Sequence, residues 1–272
     1  MLSPTVTITY HRFEFQKWEQ IQGETIVETP VSLTVNGQVW LTLMCTPTDL
    51  EALALGFLYN EGIIETLSEV ADVRLCEHGD NVDVWLYHAA ERPQSWRRTS
   101  GCSGGMTSID AQARWEKSIE NTGPRLTPQQ VESLVEKLLQ EQELYRDTGG
   151  VHSSILSDGD QVLLRAEDIG RHNTLDKIAG QMLLKGIWPP FRVLVTTGRI
   201  SSEMLQKAAR LGAAVLISRT SPNALSIALA ERYGITLIGY ARRHRFNLYT
   251  HPWRIEQSAL LTPAQQAENP AS

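Results

Sequence analysis

Residues 193–240 of the chain have the sequence VLVTTGRISSEMLQKAARLGAAVLISRTSPNALSIALAERYGITLIGY. The nearly continuous apolar runs at 193–195 and 214–217 are typical of buried strands, and longer helix-like segments separate them. Gly212 and Gly234 each stand where a helix would end in the left-handed conformation. This alternation of strand and helix predicts a mainly parallel sheet that helices cover on both faces.

The same pattern continues upstream of this stretch. Thr127, Pro128 and Gln130 have the spacing of a capped helix start, and Asp158-Gly159 is typical of a hairpin turn. The predicted elements of this half are a helix from Thr127, strands at Val151–Ser157 and Val162–Ala166, a helix at His172–Leu184 ended by Gly186, then Val193–Thr197, Ser202–Leu211, Ala214–Ser218, Pro222–Tyr233 and Ile235–Tyr240.

The first third predicts a smaller β-rich unit with one helix. Alternating apolar residues at 31–35 and 39–43 flank Asn36-Gly37, the strongest short hairpin signal. Thr48 is predicted to open a helix with Glu51 as its capping partner and Gly62 at its end. Strands at Val70–Leu75 and Val82–Tyr87 complete a compact α+β roll.

Composition limits the class of protein. The chain has 272 residues, 42% of them hydrophobic, and a net charge of −6, so nothing in the whole-chain charge indicates nucleic-acid binding. Three cysteines without a CxxC pair suit a reducing compartment. The N-terminus lacks the pattern of a signal peptide and no run is long enough to span a membrane, so we expect a cytoplasmic protein.

We predict an α/β protein with four segments. Residues 1–95 form the small α+β domain, 96–125 a flexible linker with few periodic apolar positions, and 126–256 the larger α/β domain. The last residues, 257–272, are rich in Ala, Gln and Pro and are predicted to be a disordered tail.

Polar, arginine-containing segments follow four predicted strands, at 167–173, 196–202, 218–223 and 240–246. In such a sheet, ligands gather at the carboxyl ends of the strands, and helix N-termini there favour an anion. Together the segments predict a pocket for a phosphorylated ligand. Each also has a simpler interpretation: Ser201, Ser202, Ser221 and Asp168 as helix caps, and 242–245 as a solvated basic turn.

Cys102 is the candidate reactive residue. It lies in Ser100-Gly101-Cys102-Ser103-Gly104-Gly105, too small and flexible a stretch to pack a core, and Arg97 and Arg98 upstream favour the thiolate. The alternative is a Gly-rich turn that happens to carry a thiol. His152 could act as a base beside it or be a packing histidine. The zinc-deaminase signature is absent, so we reject zinc hydrolysis.

Three long motifs resemble the FdhD/NarQ family of accessory sulfurtransferases for formate dehydrogenase. They are AEDIGRHNTLDKIAG (166–180), the stretch from TTGRISSEM to GYAR (196–242) and FNLYTHPWRI (246–255). The resemblance runs from roughly Val31 to Ile255. It implies a cytidine-deaminase-like three-layer α/β domain preceded by a small β-rich roll, and a homodimer.

The resemblance also implies an activity. Family members accept persulfide sulfur from a cysteine desulfurase and pass it to Mo-bis(molybdopterin guanine dinucleotide), a bound substrate, before that cofactor enters formate dehydrogenase. No metal of the protein's own is expected. Cys102 matches the first cysteine of the family's Cys-x-x-Cys loop, while Gly105 replaces the second.

The same comparison assigns binding residues for the cofactor and its guanine nucleotide. The segment that matches the family's cofactor contact comprises Tyr240, Ala241, Arg242, Arg243, His244 and Arg245. The arginine and helix-terminus cluster adds Arg171, His172, Gly198, Arg199 and Ser221. The leading hypothesis is therefore a sulfur carrier. The alternatives are a non-catalytic cofactor binder or chaperone, and a cysteine hydrolase that uses Cys102 and His152.

Overall fold

The computed structural model describes residues 2–93, 96–98, 106–108, 119 and 123–256, with backbone alone at 96–98 and 106–108. Among these residues, no helix is both long and apolar enough to cross a bilayer. Buried apolar residues from both halves of the chain, including Leu33 and Phe57 in the first and Leu194 in the second, belong to one core cluster. The boundaries predicted at 95, 125 and 256 stay predictions.

The chain begins with a hairpin that the sequence interpretation missed. Among the described residues, strands β1 (Thr5–Glu14) and β2 (Lys17–Ile26) pair only with each other and form a separate two-stranded sheet. Phe15 and Gln16 make the turn with φ angles of 46° and 62°. Such a turn normally takes Asn or Gly, so this hairpin carries no recognisable turn signal.

The second hairpin confirms its prediction. Strands β3 (Thr29–Val35) and β4 (Gln38–Cys45) are antiparallel, and Asn36 and Gly37 have φ angles of 47° and 78°. Strands β5 (Val70–Leu75) and β6 (Asn81–Leu86) join them in a four-stranded sheet of order β4-β3-β6-β5. The predicted α+β arrangement of this region is therefore present.

Helix α1 (Leu50–Asn60) begins one residue later than expected, and Thr48 does not cap it. The residue at the N-cap is Asp49, in the left-handed conformation, and its side chain makes no capping hydrogen bond. The Thr48 hydroxyl instead accepts a hydrogen bond from Lys177 Nζ at 2.9 Å. A distant lysine thus uses the oxygen that a local capping rule had assigned to the helix. Gly62, with φ of 71°, follows the helix as predicted.

The predicted linker contains two short paired strands, β7 (Trp96–Arg98) and β8 (Met106–Ser108), with Arg98 opposite Met106. Residues 99–105, including Cys102, join them in sequence and lie outside the described residues. Helix α2 (Pro128–Gln140) then starts with the predicted capping box of Thr127 and Gln130. The six-residue helix α3 (Glu143–Thr148) follows it and was not predicted.

The large sheet is mixed, so the expectation of a mainly parallel sheet was wrong. Its strands are β9 (His152–Ser157), β10 (Val162–Asp168), β11 (Val193–Thr196), β12 (Val215–Ser218), β13 (Thr236–Arg242) and β14 (Arg245–Leu248). Their order is β10-β9-β11-β12-β13-β14, and the only parallel pairs are β11–β12 and β12–β13. Hairpin connections add antiparallel strands at both sides, because the short connections at 158–161 and 243–244 reverse the chain.

Helices cover both faces of this sheet. Helices α4 (Arg171–Lys185), α5 (Ser202–Arg210) and α6 (Ala224–Tyr233) share a core with one face, whereas α2 packs on the other. Helix α1 lies directly against α4: a Cβ added at Gly56 would stand 1.7 Å from the carbonyl oxygen of Asp176. Glycine at this crossing lets the two helix backbones touch, and so fixes the N-terminal unit on the sheet domain.

Strand direction brings the predicted site segments together. Strand β9 is antiparallel to both β10 and β11, and β11, β12 and β13 are mutually parallel. Strands β10 to β13 therefore end at the same side of the sheet. We call this side, at Asp168, Thr196, Ser218 and Arg242, the carboxyl edge.

Candidate functional site

A cavity of about 460 Å³ opens at the carboxyl edge. The strand ends contribute Ile169, Thr197, Arg219, Thr220 and Arg242 to its wall. The other side of the wall consists of Gln142, Tyr145 and the loop at 149–152. Its size lies within the range of small-molecule sites, which often sit at this edge of an α/β sheet.

Positive charge dominates this cavity. Arg219 and Arg242 contribute guanidinium groups, and none of the described residues that line the cavity is acidic. Arg219 Nε is buried and finds no hydrogen-bond acceptor within the described parts of the chain. The two guanidinium groups that line the cavity favour an anionic ligand, because charge-assisted hydrogen bonds to phosphate or carboxylate oxygens are strong.

A buried ion pair fixes the strand end beside the cavity. Lys177 Nζ lies 2.7 Å from Asp168 Oδ2, and neither side chain is exposed. Lys177 also donates to the carbonyl oxygens of Thr46 and Glu167, each at 3.1 Å. Asp168 accepts from the backbone N–H of Thr46 and of Gly170. The pair therefore ties the start of α4 to the segment before α1 and gives the carboxyl edge a rigid base.

His152 faces the cavity from the start of β9. It is half-buried, and its Nδ1 lies 3.3 Å from the hydroxyl of Thr197. Burial lowers the pKa of His152 below its usual value, positive Arg171 and Arg199 lower it further, and Asp168 offsets part of that effect. His152 is therefore neutral at pH 7 when no anion is bound, and an anion in the cavity would favour its protonated form.

His172 lies deeper, in the first turn of α4, and is 1% exposed. Neither ring nitrogen has a hydrogen-bond partner within the described ranges. Burial is the main cause that holds the pKa of His172 well below its usual value, and Lys207, Arg171 and His152 lower it further. The imidazole is neutral at physiological pH, which limits the positive charge packed behind the cavity.

The structure places the predicted binding residues in three different environments. Arg242 lines the cavity. Two further residues adjoin Thr220 in the cavity wall: Ser221 follows it in the chain, and the Tyr240 N–H donates to its carbonyl oxygen at 2.9 Å. The remaining exposed residues of the prediction are Arg199, Arg243, His244 and Arg245. Those that are buried are Ala241, Arg171, His172 and Gly198.

Gly198 is buried for a steric reason. A Cβ added there would stand 2.9 Å from the Cβ of Arg171. The glycine therefore allows the loop after β11 to pass close to the start of α4. Its predicted role in ligand binding stays a prediction, as do the roles of Arg171 and His172, whose side chains do not line the cavity.

The helix-cap interpretations hold for one serine. The Ser201 side chain accepts the N–H of Met204 and caps α5, and Ser202 is the first residue of that helix. Asn223, rather than Ser221, caps α6. Asp168 is not the cap of α4, which begins after Gly170, although its carboxylate accepts the Gly170 N–H at 2.7 Å.

Two of the three cysteines lie in the described ranges. Cys45 is buried in the core, and burial raises the pKa of its thiol to about 12, with nearby Asp168 adding to the shift. Cys76 is half-buried, and its Sγ donates to Asp80 Oδ1 at 2.9 Å. Cys45 is therefore an inert packing thiol. Cys102 and Gly105 fall outside the described residues, so the prediction that Cys102 reacts stays a prediction.

Sequence reasoning found part of the cavity wall and missed the rest. Thr197, Arg219 and Thr220 lie inside the strand-end segments that predicted the pocket, although they were not singled out. Gln142 and Tyr145 carried no signal, because the cap of α3 comes from Glu167, far along the chain, instead of from a local motif.

The sequence of the chain matches that of a known protein family. The sequence description of the FdhD/NarQ family matches residues 26–256. The chain belongs to the FdhD/NarQ family. The match spans nearly all of the described structure, including every strand of the large sheet and the whole carboxyl edge.

The similarity to individual known proteins extends over almost the whole chain. The sulfur carrier protein FdhD of Bacillus subtilis (strain 168) is 36% identical over 250 residues, which are 90% of this chain and 95% of that protein. The protein of the same name from Staphylococcus aureus (strain MRSA252) is 35% identical over 253 residues, 91% of this chain and 95% of that one. A crystal structure of a formate dehydrogenase accessory protein from Desulfotalea psychrophila superposes with a TM-score of 0.79 at 28% identity, over 93% of this chain and all of that one.

Proposed function

We propose that this FdhD/NarQ protein is a sulfur carrier that serves formate dehydrogenase, and that its carboxyl-edge cavity binds the anionic part of the sulfur acceptor. One observation carries the binding half of the proposal. Arg219 and Arg242 line a cavity that has no acidic lining residue in the described structure. The names of the relatives support the sulfur-carrier half.

The substrate that we propose for this cavity is Mo-bis(molybdopterin guanine dinucleotide). A cavity of about 460 Å³ is suited to one nucleotide diphosphate portion of so large a molecule. Arg219 and Arg242 would bind the diphosphate, since planar guanidinium groups match phosphate oxygens. The remainder of the cofactor would extend over the exposed turn at 243–245.

That turn is a suitable second contact. Arg243, His244 and Arg245 are exposed between β13 and β14, close in the chain to Arg242. His244 has a left-handed backbone, with φ of 63°, and its ring lies 3.6 Å from the Glu132 carboxylate. The tight turn brings three basic side chains to the rim of the same edge, which supports binding of a ligand with several phosphates.

Cys102 carries the sulfur in this proposal. Its thiolate attacks the outer sulfur of a persulfide on a cysteine desulfurase, a new S–S bond forms at Cys102, and the desulfurase cysteine leaves as a thiolate. The resulting Cys102 persulfide is the donor to the bound molybdenum cofactor. Because Gly105 stands in place of a second loop cysteine, sulfur transfer here depends on a single thiol.

The proposal includes further features that the resemblance implies. The large sheet and its helices would have the cytidine-deaminase-like fold, and α2 on one face with α4–α6 on the other supports three layers. The protein would act as a cytoplasmic homodimer and a sulfurtransferase. Its partners would be a cysteine desulfurase and formate dehydrogenase.

Persulfide loading tests the role of Cys102. Protein mixed with a desulfurase and cysteine should gain the mass of one sulfur atom on Cys102, and Cys102→Ala should gain none. Cys45→Ala and Cys76→Ala are matched controls that should load like wild type, because Cys45 is an inert buried thiol. Equal loading of Cys102→Ala and wild type would refute the assignment.

A second candidate function is a non-catalytic binder or chaperone of the same cofactor. The specific observation in its favour is Gly105, which removes the second thiol of the family loop. In a strain that lacks the native protein, Cys102→Ala would then restore formate oxidation as well as wild type does. The sulfur-carrier proposal predicts no restoration by this variant.

A further inference from the structure

Helix α3, which forms part of the cavity wall, is too short and too exposed to be stable by itself. Helix α3 has six residues, and none of them is fully buried. Helices this short are not stable by themselves. Yet Tyr145 in this helix, and Gln142 just before it, complete the cavity wall opposite Arg219 and Arg242. Something outside the helix must hold this wall in place.

The carboxylate of Glu167 makes that connection. Its Oε2 accepts the backbone N–H of Glu143 at 2.8 Å and of Leu144 at 2.7 Å, and its Oε1 accepts the N–H of Tyr145 at 3.1 Å. Glu167 thus satisfies three backbone donors at the start of α3 from a strand 22 to 24 residues further along the chain. Its negative charge also complements the positive end of the helix.

A buried side chain extends the same connection to the next strand. Ser153 Oγ donates to Glu167 Oε1 at 3.2 Å and accepts from Gln142 Nε2 at 2.9 Å. Gln142 and Ser153 are 3% and 2% exposed. Ser153 directly follows His152, which lies in the cavity wall. The hydrogen-bonded chain Gln142–Ser153–Glu167 therefore joins two parts of the same side of the wall, α3 and the segment at His152, through one carboxylate.

Glu167 does not itself line the cavity and instead lines a separate groove. Its effect on a ligand must pass through α3. We propose that Glu167 is a positioning residue that holds Gln142 and Tyr145 in the wall, so that the cavity is preformed for a nucleotide diphosphate. This inference rests on the proposed function, since the ligand is the one proposed there.

Glu167→Gln is the matching substitution. Glutamine keeps the size of the side chain, but it has one acceptor oxygen for four donors and lacks the charge. Glu143→Gln is the control: it removes a carboxylate from the first turn of the same helix, where the side chain is 60% exposed and pairs with Arg165. Neither Glu143 nor Arg165 lines the cavity.

The test is calorimetric titration of the full chain with guanosine diphosphate, next to persulfide loading at Cys102. Glu167→Gln should weaken binding at least about tenfold, because a misplaced wall loses its contacts. Glu143→Gln should bind like wild type, and all three proteins should load sulfur equally. A Glu167→Gln variant that binds as tightly as wild type would overturn the inference and leave the proposed function intact. No binding by wild type would overturn the inference together with the binding half of the proposed function, and the sulfur loading would still test the sulfur-carrier half.

A measurement on wild type covers the case in which Glu167→Gln does not fold. Hydrogen exchange at the amides of Glu143, Leu144 and Tyr145 reports whether the three bonds to Glu167 are closed. Saturating guanosine diphosphate should slow exchange at these amides, although they point away from the cavity toward Glu167. Exchange that the ligand leaves unchanged there, while the amides near Arg219 slow, would contradict the positioning role.

Discussion

Both edges of the six-stranded sheet carry arginines, but those arginines have different partners. At the amino edge, where β11, β12 and β13 begin, Arg254 is 1% exposed and donates to the carbonyls of Gly234 and Ala214 and to the hydroxyl of Thr236. At the carboxyl edge, Arg219 and Arg242 line an open cavity. The protein therefore supplies acceptors to one guanidinium nitrogen of Arg254, whereas Arg219 and Arg242 border open space.

The direction of the helices explains this difference. Helix α6 ends at the amino edge, where Gly234 presents a carbonyl that attracts a cation. Helices α4 and α5 begin near the carboxyl edge, where N–H groups repel a cation and attract an anion. Arg254 at the amino edge is therefore structural, whereas Arg219 and Arg242 at the carboxyl edge lie where an anion would be favoured.

Removal of Arg254 should destabilise the amino edge and lower the free energy of unfolding more than the other changes described below. Burial lowers the pKa of Arg254 to about 10, so it stays charged at pH 7, and Arg254→Ala would leave three acceptors without it. We expect a loss of about 3 kcal/mol in the free energy of unfolding, measured by urea denaturation. Arg232→Ala, at an exposed position of α6, is the control and should change it by less than about 0.5 kcal/mol. If the Arg254→Ala protein is as stable as wild type, Arg254 does not have the structural role that we assign to it at the amino edge.

A decrease in pH should have a smaller effect on stability, through His172 at the carboxyl edge. The pKa of His172 in the folded protein lies well below that in the unfolded chain, mainly because of burial. The unfolded chain then binds the proton first, so stability is full above about pH 6.5 and falls as pH decreases. Between pH 7 and pH 5 this histidine should therefore make the free energy of unfolding decrease as pH falls.

His172→Gln should remove that part of the pH dependence, as measured by urea denaturation across the same range. His244→Gln is the matched control, since that side chain is 76% exposed, and its pH profile should follow wild type. If the profile of His172→Gln also coincides with that of wild type, His172 is not the neutral buried group that the carboxyl edge contains.

Much of the sheet domain could be predicted from local sequence. The Thr127 capping box, the Asn36-Gly37 turn and the glycines after α5 and α6 are signals that act within a few residues, and the structure confirms them. The strand-end segments also predicted where Arg219 and Arg242 would meet. These predictions succeeded because hydrophobic periodicity and capping depend on neighbours in the chain.

The failures share the opposite property. The Asp158-Gly159 turn correctly predicted the β9–β10 hairpin. Periodicity does not specify which strands pair, however, so the antiparallel pairing of β9 with β11 was not predicted, and β14 was missed. Helix α3 depends on Glu167, and the Thr48 hydroxyl is taken by Lys177, both far away in sequence. The first hairpin uses Phe15-Gln16, which contradicts the turn rule that the second hairpin obeys.

The most direct test of the central claim is the affinity of Arg219→Ala for guanosine diphosphate, measured by calorimetric titration of the full chain. We expect that wild type binds and that the variant binds about tenfold more weakly, a change of about 1.4 kcal/mol, with unchanged stability to urea. Equal affinities of wild type and Arg219→Ala would contradict the claim that the carboxyl-edge cavity binds the anionic part of the ligand.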